Sequence, residues 1–331
     1  MNENKFVEFS ETNIKPQDVL TTNIGQISTP QEGQVLVKML AAPINPADIN
    51  FIQGVYGIKP TLPHSKAGLE GCGVVIESKS ADFQEGDQVI MLRGVGSWST
   101  YQTIDADQLL KLPCDVDADQ AAMLKVNPLT ALRMLEGYVQ LKPGDWIVQN
   151  ASNSGVGRCI IQIAKLMGVK TINFVRRPDD LREELTALGA DIVVGENEPD
   201  VVKNTLAQLD GARPVLASNA VGGESALRLM DMLAPGGKMV TFGAMSKQSI
   251  KVPNGFLIFK GISLEGLWVT QWLKTSSKEE ISAAYSKLAH WMSDGKLTQA
   301  IDSTYGLDQI KEAVTKAQEE FRNGKILLSM Q

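Results

Sequence analysis

The chain has 331 residues, 43% hydrophobic and 21% charged, with a formal net charge of −6 and a pI near 5.2. This is about two domains' length with the composition of a soluble globular protein, and an acidic balance without a long Lys/Arg run excludes general nucleic-acid or anionic-membrane binding. No apolar run approaches the ~20 residues of a membrane helix, the N-terminal MNENKFVEFSE lacks the order of a secretory signal, and Cys72, Cys114 and Cys159 form no CxxC pair, so no disulfide framework is expected and the cytoplasm is the expected compartment.

Along the first hundred or so residues, VLVKML (35–40), GCGVVIES (71–78) and DQVIML (87–92) read as short β-branched strands bounded by turn residues. A helix is expected near Asp117, where acidic residues precede AAMLKV. The rhythm changes after Leu141: strands at DWIVQN (145–150), TINFV (171–175), DIVV (191–194), PVLASNA (214–220) and KMVTFG (238–243) alternate with helices at 155–168, 179–189, 201–209 and 224–233. That alternation predicts right-handed βαβ units in a parallel sheet covered on both faces. Beyond Lys247 the chain reads as extended through LIFKGISLEGLWV (257–269), then helical over 278–293 and 307–323, with a closing strand KILLSM (325–330). The expected fold is α/β, with a β-rich unit at 1–118 and 267–331 around a doubly wound parallel-sheet unit at 119–266.

The most informative stretch joins the strand ending at Asn150 to the helix that follows, through Ser152-Asn153-Ser154-Gly155-Val156-Gly157. A phosphate-binding turn needs small residues where backbone N–H groups approach a pyrophosphate, and a helix N-terminus whose dipole favours an anion. Here the GxGxxG spacing carries serine at its first two glycine positions, and Gly157 would let the helix lie close on the sheet. A βα turn without a ligand would have the same spacing. Where an NAD site would place an acid on the ribose, Arg176 and Arg177 follow TINFV. Guanidinium groups suit a 2′-phosphate, so NADPH is favoured over NADH; two solvated arginines heading a surface helix are the alternative.

These features together resemble the medium-chain dehydrogenase/reductase superfamily, with its GroES-like β domain and Rossmann domain, and the match covers nearly the whole chain. Within it the sequence is most similar to the zinc-free, mitochondrial-type 2-enoyl thioester reductases, on INPADINFIQGVYG (44–57), VNPLTALRML (126–135), QNASNSGVG (149–157), TFGAMSKQ (241–248) and LIFKGISLEGLWVTQW (257–272). The resemblance implies NADPH-dependent reduction of the C2=C3 bond of trans-2-enoyl thioesters, of CoA or acyl carrier protein. It puts the family's catalytic tyrosine on Tyr56, whose phenol can donate a proton to the α-carbon. It puts the cofactor contacts on Asn127; on Asn153, Ser154, Gly155 and Val156; on Arg176 and Arg177; on Phe242, Gly243, Ala244 and Met245; on Leu267, Trp268 and Val269; and on Lys325. By themselves, Tyr56 reads equally as a turn aromatic, Asn127 as a helix cap, Trp268 and Trp272 as core aromatics and Lys325 as a solvated cation. A homodimer through the sheet edge near 250–272 is also implied.

Zinc-dependent members of the superfamily use a cysteine where this chain has Ile44-Asn45 and Gly-His-Glu where it has Gly68-Leu69-Glu70. His64, Glu70 and Cys72 are too close in sequence to make a convincing three-ligand site, so no metal is expected. Two other readings remain open: a reductase of quinones or other α,β-unsaturated carbonyls, and a non-catalytic NADPH-binding protein.

Overall fold

The computed structural model describes residues 3–330 and divides into two compact units, one running through Val126 and again from Ser277, the other Asn127–Ser276. The boundary of 118/119 read from the sequence cuts the helix Ala118–Ala122, and 266/267 falls at the end of the strand Ser263–Gly266.

In chain order the first unit begins with β1 (Glu3–Phe9), α1 (Pro16–Val19), β2 (Thr21–Gln26), β3 (Gln34–Ile44), α2 (Pro46–Ile52), β4 (Ser65–Lys66), β5 (Cys72–Ser78), β6 (Gln88–Met91), β7 (Tyr101–Asp105), β8 (Leu109–Lys111) and α3 (Ala118–Ala122). The second unit holds α4 (Asn127–Glu136), β9 (Trp146–Gln149), α5 (Gly155–Met167), β10 (Lys170–Val175), α6 (Pro178–Leu188), β11 (Ile192–Gly195), α7 (Val201–Leu206), β12 (Leu216–Asn219), α8 (Gly223–Met232), β13 (Lys238–Thr241), α9 (Asn254–Ile258), β14 (Ser263–Gly266) and α10 (Val269–Thr275). The chain returns to the first unit with α11 (Lys278–Ser293), β15 (Ile301–Gly306), α12 (Ile310–Gln318) and β16 (Lys325–Ser329).

The eleven-residue β3 organises the first unit, pairing antiparallel with β5, β7 and β16 and kinked by register shifts at Leu36/Val37 and Met39/Ala41. Its inward side chains Val35, Val37, Met39 and Ile44 meet Phe9, Phe51, Trp98, Ile326 and Leu328 in one core. Helix α2 starts at Pro46, where a fixed φ suits the first helical position, and buries Phe51 edge-on against Phe9, with ring centroids 5.7 Å apart.

The second unit is an all-parallel sheet of order β11-β10-β9-β12-β13-β14. Successive side chains of a strand face opposite sides, and both sides are covered. Ile172 and Phe174 pack with Ala226 and Leu229 of α8, whereas Val175 packs with Ile161 of α5 and Leu185 of α6. The chain first steps outward through β10 and β11 and then crosses back to β12, so the winding reverses between β9 and β12. In open α/β sheets ligands bind at such a switch point, beyond the carboxyl ends of the strands.

Two elements depart from expectation. Residues 257–258 belong to helix α9 rather than to an extended run. The helix expected to reach residue 323 stops at Gln318, and Phe321 takes a left-handed φ of 64° that a helix cannot continue through.

Candidate active site

The switch point is built by the turn between β9 and α5. Ser152 N–H and Ser152 Oγ both donate to Phe174 O at 3.2 Å, which ties the turn to β10. Ser154 caps α5, its Oγ accepting from Gly157 N–H at 3.1 Å. A Cβ on Gly157 would lie 2.6–2.7 Å from the Ser152 backbone, so glycine is what lets the helix descend onto the turn. Arg158, 4% exposed, donates from Nε to Asn153 O at 3.0 Å and pairs with Glu184 of α6. The first-turn N–H groups of α5 lack intrahelical partners by geometry and carry the positive end of its dipole. A cradle of small residues at a helix N-terminus fits a pyrophosphate.

Arg176 and Arg177 follow β10 on the surface. Arg177 heads α6 and pairs with Asp180 at 3.1 Å, both side chains about half exposed; such a pair is worth under ~1 kcal/mol. Phe242, Gly243, Ala244 and Met245 leave the carboxyl end of β13, held by Phe242 N–H to Asn219 O and Met245 N–H to Ala220 O, each 3.0 Å. Leu267 bonds back to Thr241 O at 2.9 Å, Trp268 precedes the first residue of α10 and is 38% exposed, and Val269 is buried. Asn127 is buried as the first residue of α4. These residues all belong to the second unit, whereas Tyr56 and Lys325 belong to the first.

Sequence reasoning missed a network of buried polar side chains beneath the switch point. Asn150 Nδ2 donates to Asn219 Oδ1 and to Ser225 Oγ, each at 2.9 Å, and Ser225 Oγ donates to Glu196 at 2.7 Å. Asn150 Oδ1 accepts from Ala220 N–H at 2.7 Å, and Asn219 Nδ2 donates to Thr241 Oγ1 at 3.1 Å. The available signal was an asparagine closing each of the two apolar strands that flank the reversal.

In the first unit Tyr56 is half-buried against the core, just beyond α2, and Asn50 O accepts from both Val55 N–H at 2.9 Å and Tyr56 N–H at 3.1 Å. The opposite end of α2 meets a buried charged cluster that the sequence did not reveal. Glu70 Oε2 accepts from Asn45 Nδ2 at 2.6 Å and Glu70 Oε1 from Val126 N–H at 2.7 Å. Asp48 accepts from Asn45 N–H at 2.7 Å and Leu69 N–H at 2.9 Å. Lys125 Nζ donates to Leu69 O at 2.5 Å, and Lys325 Nζ to Asn45 Oδ1. Burial pushes the Asp48 carboxyl up to about 7 and raises Glu70, while it lowers Lys125 against the pull of both carboxylates. Lys325, a single cation in the sequence, is therefore part of a buried polar cluster.

His64 is exposed and pairs with Glu8 at 3.1 Å, Cys72 donates to Ala118 O at 3.0 Å, and Glu70 serves the cluster just described. Burial pushes the Cys72 thiol up to about 12, which is the environment of a packing residue rather than a nucleophile. Among the described residues, no three His, Cys, Asp or Glu side chains come together as a metal site.

A GroES-like β unit and a doubly wound sheet with a serine-rich turn at its switch point, in one chain, define a medium-chain dehydrogenase/reductase. The family description "Alcohol dehydrogenase GroES-like domain" matches residues 31–114, and "Zinc-binding dehydrogenase" matches 155–290. The mitochondrial enoyl-[acyl-carrier-protein] reductase of Xenopus tropicalis is 41% identical over 335 residues, covering 97% of this chain and 94% of the relative. The solved Etr1p/NADP/crotonyl-CoA complex superposes with a TM-score of 0.90 at 32% identity, covering 99% of this chain and all of that one. The mitochondrial 2-enoyl thioester reductase Etr1p/Etr2p heterodimer of Candida tropicalis gives 0.88 at 32%, with the same coverage. The chain belongs to the enoyl-[acyl-carrier-protein] reductase family and is an oxidoreductase.

One expectation is corrected by these relatives. They are mitochondrial proteins, which overturns the cytoplasmic assignment. Unpaired cysteines exclude only an oxidising compartment and cannot choose among reducing ones.

Proposed function

We propose that this chain reduces the C2=C3 double bond of trans-2-enoyl thioesters at the expense of NADPH, with Tyr56 as the proton donor. The observation that carries the reading is one combination in a chain of this family: the serine-rich phosphate turn followed by Arg176 and Arg177, together with Tyr56 on its hydrogen-bonded turn after α2. Asn153, Ser154, Gly155 and Val156 would hold the pyrophosphate, and the two arginines the 2′-phosphate, through charge-assisted bonds. Phe242 to Met245, Leu267 to Val269, Asn127 and Lys325 would complete the cofactor's surroundings. Held by these residues, the dinucleotide would supply a hydride to the electrophilic β-carbon. Negative charge then develops on the thioester oxygen and α-carbon, and the Tyr56 hydroxyl delivers its proton to the α-carbon, so that one hydride and one proton complete the saturated product. No metal takes part in this scheme.

The protein acts as a homodimer in this reading. β14 lies at the edge of the sheet with β13 as its neighbour, and an uncovered edge strand invites a second one. Beside it Ile258 and Phe259 are 70% and 88% exposed, an apolar surface suited to a second copy of the chain.

The test is NADPH oxidation with trans-2-hexenoyl-CoA, run alongside a naphthoquinone, on wild type and Tyr56→Phe. Thioester reduction that falls by roughly 10²–10⁴ in the variant is expected. Quinone turnover that survives the substitution, with the thioester untouched, would overturn the reading.

A further inference from the structure

We propose that Glu70 is a positioning residue for Tyr56: its buried carboxylate, set among Asn45, Lys125 and Lys325, fixes the N-terminus of the helix whose other end leads into the tyrosine. This role rests on the assignment of Tyr56 as proton donor.

Glu70 and Asp48 are 1% and 0% exposed. Carboxylates so buried persist only with close partners, and here the partners form a closed figure. Glu70 binds the Asn45 side chain, Asn45 N–H binds Asp48, and Asp48 binds the backbone of Leu69, the neighbour of Glu70. Lys325 adds its ammonium to Asn45 Oδ1, and Lys125 adds its own to Leu69 O. Asn45 and Asp48 are the residue before α2 and its third residue, so the figure fixes where this seven-residue helix begins and how it is tilted.

The helix is about 10 Å long. Phe51 and Ile52 seat its far end in the core, and Asn50 O then holds the Val55 and Tyr56 amides. A short rigid element carries any tilt at its start directly to its end. A shift of about 1 Å at a reacting group costs up to roughly 10²-fold in rate, so an anchor with directional bonds has a use here that an apolar contact would not serve. Buried ion clusters are seldom the most stable way to fill a volume. Two carboxyls and two ammoniums in one figure therefore point to geometry rather than to stability.

The test uses Glu70→Gln, and Asn45→Ala as a second variant that keeps all four ionisable side chains while breaking the bond between Asn45 and Glu70. Amide hydrogen exchange is followed across residues 45–56 and in β3 and β16, together with steady-state kinetics on trans-2-hexenoyl-CoA, in wild-type and Tyr56→Phe backgrounds. The expected result is exchange at Val55 and Tyr56 about tenfold faster, with β3 and β16 unchanged. kcat falls roughly 10- to 100-fold, and no further loss appears once Tyr56 is phenylalanine. Unchanged exchange, or a kcat loss that adds in full to that of Tyr56→Phe, overturns the role of Glu70. If Glu70→Gln does not fold, a fully active Asn45→Ala overturns it equally. A wild type inert toward enoyl thioesters instead overturns the assignment of Tyr56 itself, a result that the wild-type arm alone delivers.

Discussion

Replacing Gly157 by alanine tests whether the α5 turn is shaped by close backbone approach. The added Cβ would meet Ser152 O at 2.6 Å and Ser152 C and Cα at 2.7 Å, against the ~3.5–4.0 Å at which carbon atoms rest. All three atoms are backbone, so no side-chain rotation relieves the contact. Either α5 lifts from the sheet, or the turn moves and strains the bonds of Ser152 to Phe174 and of Ser154 to Gly157. Overpacking of this kind costs about 1–3 kcal/mol, and with backbone on one side and a helix on the other the upper end, about 3 kcal/mol, is expected. The same displacement moves the N–H groups proposed to hold the pyrophosphate, so NADPH should bind at least about tenfold more weakly, equivalent to ~1.4 kcal/mol. Urea unfolding followed by circular dichroism and a fluorescence titration with NADPH read the two effects separately. Gly255→Ala is the control: it lies inside α9, its nearest neighbour is Phe259 Cδ2 at 3.7 Å, and it should be neutral or stabilising by up to ~1 kcal/mol. A Gly157→Ala protein with a wild-type urea midpoint and an NADPH affinity within twofold of wild type would refute the close-approach argument.

Three further outcomes are expected. Arg176→Ala and Arg177→Ala should each weaken NADPH binding by roughly 10- to 100-fold, as the loss of a charge-assisted bond of ~1.5–3 kcal/mol requires, while leaving NADH within about threefold; equal losses for both nucleotides would remove the arginines from the 2′-phosphate. Because burial raises the Asp48 carboxyl from 3.8 to about 7, the folded protein holds that proton more tightly than the unfolded chain, so its contribution to stability is complete below pH 4 and is lost as pH rises through 7. Asp48→Asn, which cannot ionise but gives up one N–H acceptor, should be less stable than wild type at pH 5 and recover ground by pH 8, by at most about 3 kcal/mol over the two units from pH 5 to 7; parallel urea midpoints at the two pH values, with Glu70, Lys125 and Lys325 intact, would contradict this. Sedimentation of Phe259→Asp should show monomers where wild type shows dimers, and an unaltered dimer would move the interface elsewhere.

The second unit was legible because a doubly wound sheet writes its pattern plainly. Strands buried on both faces, such as β9 and β10, are short runs rich in apolar residues, and the helices that follow them, α5 and α6, end on Gly168 and Gly189, both left-handed. The first unit was harder to read. β2 (TTNIGQ) and β15 (IDSTYG) have no fully buried residue, so nothing in their hydrophobicity distinguishes them from loops; pairing with β1 and β16 makes them strands. The run LIF at 257–259 misled in the opposite direction, since apolar residues normally signal burial, yet all three are exposed. The serine-glycine turn before α5 and the arginine pair after β10 were visible because each lies within a few consecutive residues. The Glu70 cluster was not, because its members stand at positions 45, 48, 70, 125 and 325, and only the strand order brings them together.

The two buried polar systems answer different structural problems, which explains why one is built mainly on asparagine amides and the other on carboxylates and ammoniums. Where the sheet reverses between β9 and β12, the chain leaves β12 before its amides have found a ladder partner. Asparagine side chains complete the pairing: Asn150 Oδ1 takes Ala220 N–H at 2.7 Å, and Asn219 Oδ1 takes Val221 N–H at 3.2 Å and Gly222 N–H at 3.0 Å. An amide both donates and accepts without carrying charge, so it replaces backbone at little desolvation cost. At the start of α2, by contrast, the groups to be joined come from four distant segments with no ladder to extend. Carboxylates, each able to accept several bonds at once, can gather backbone and side-chain donors from all of them. Burying those carboxylates then requires cations, and Lys125 and Lys325 supply them.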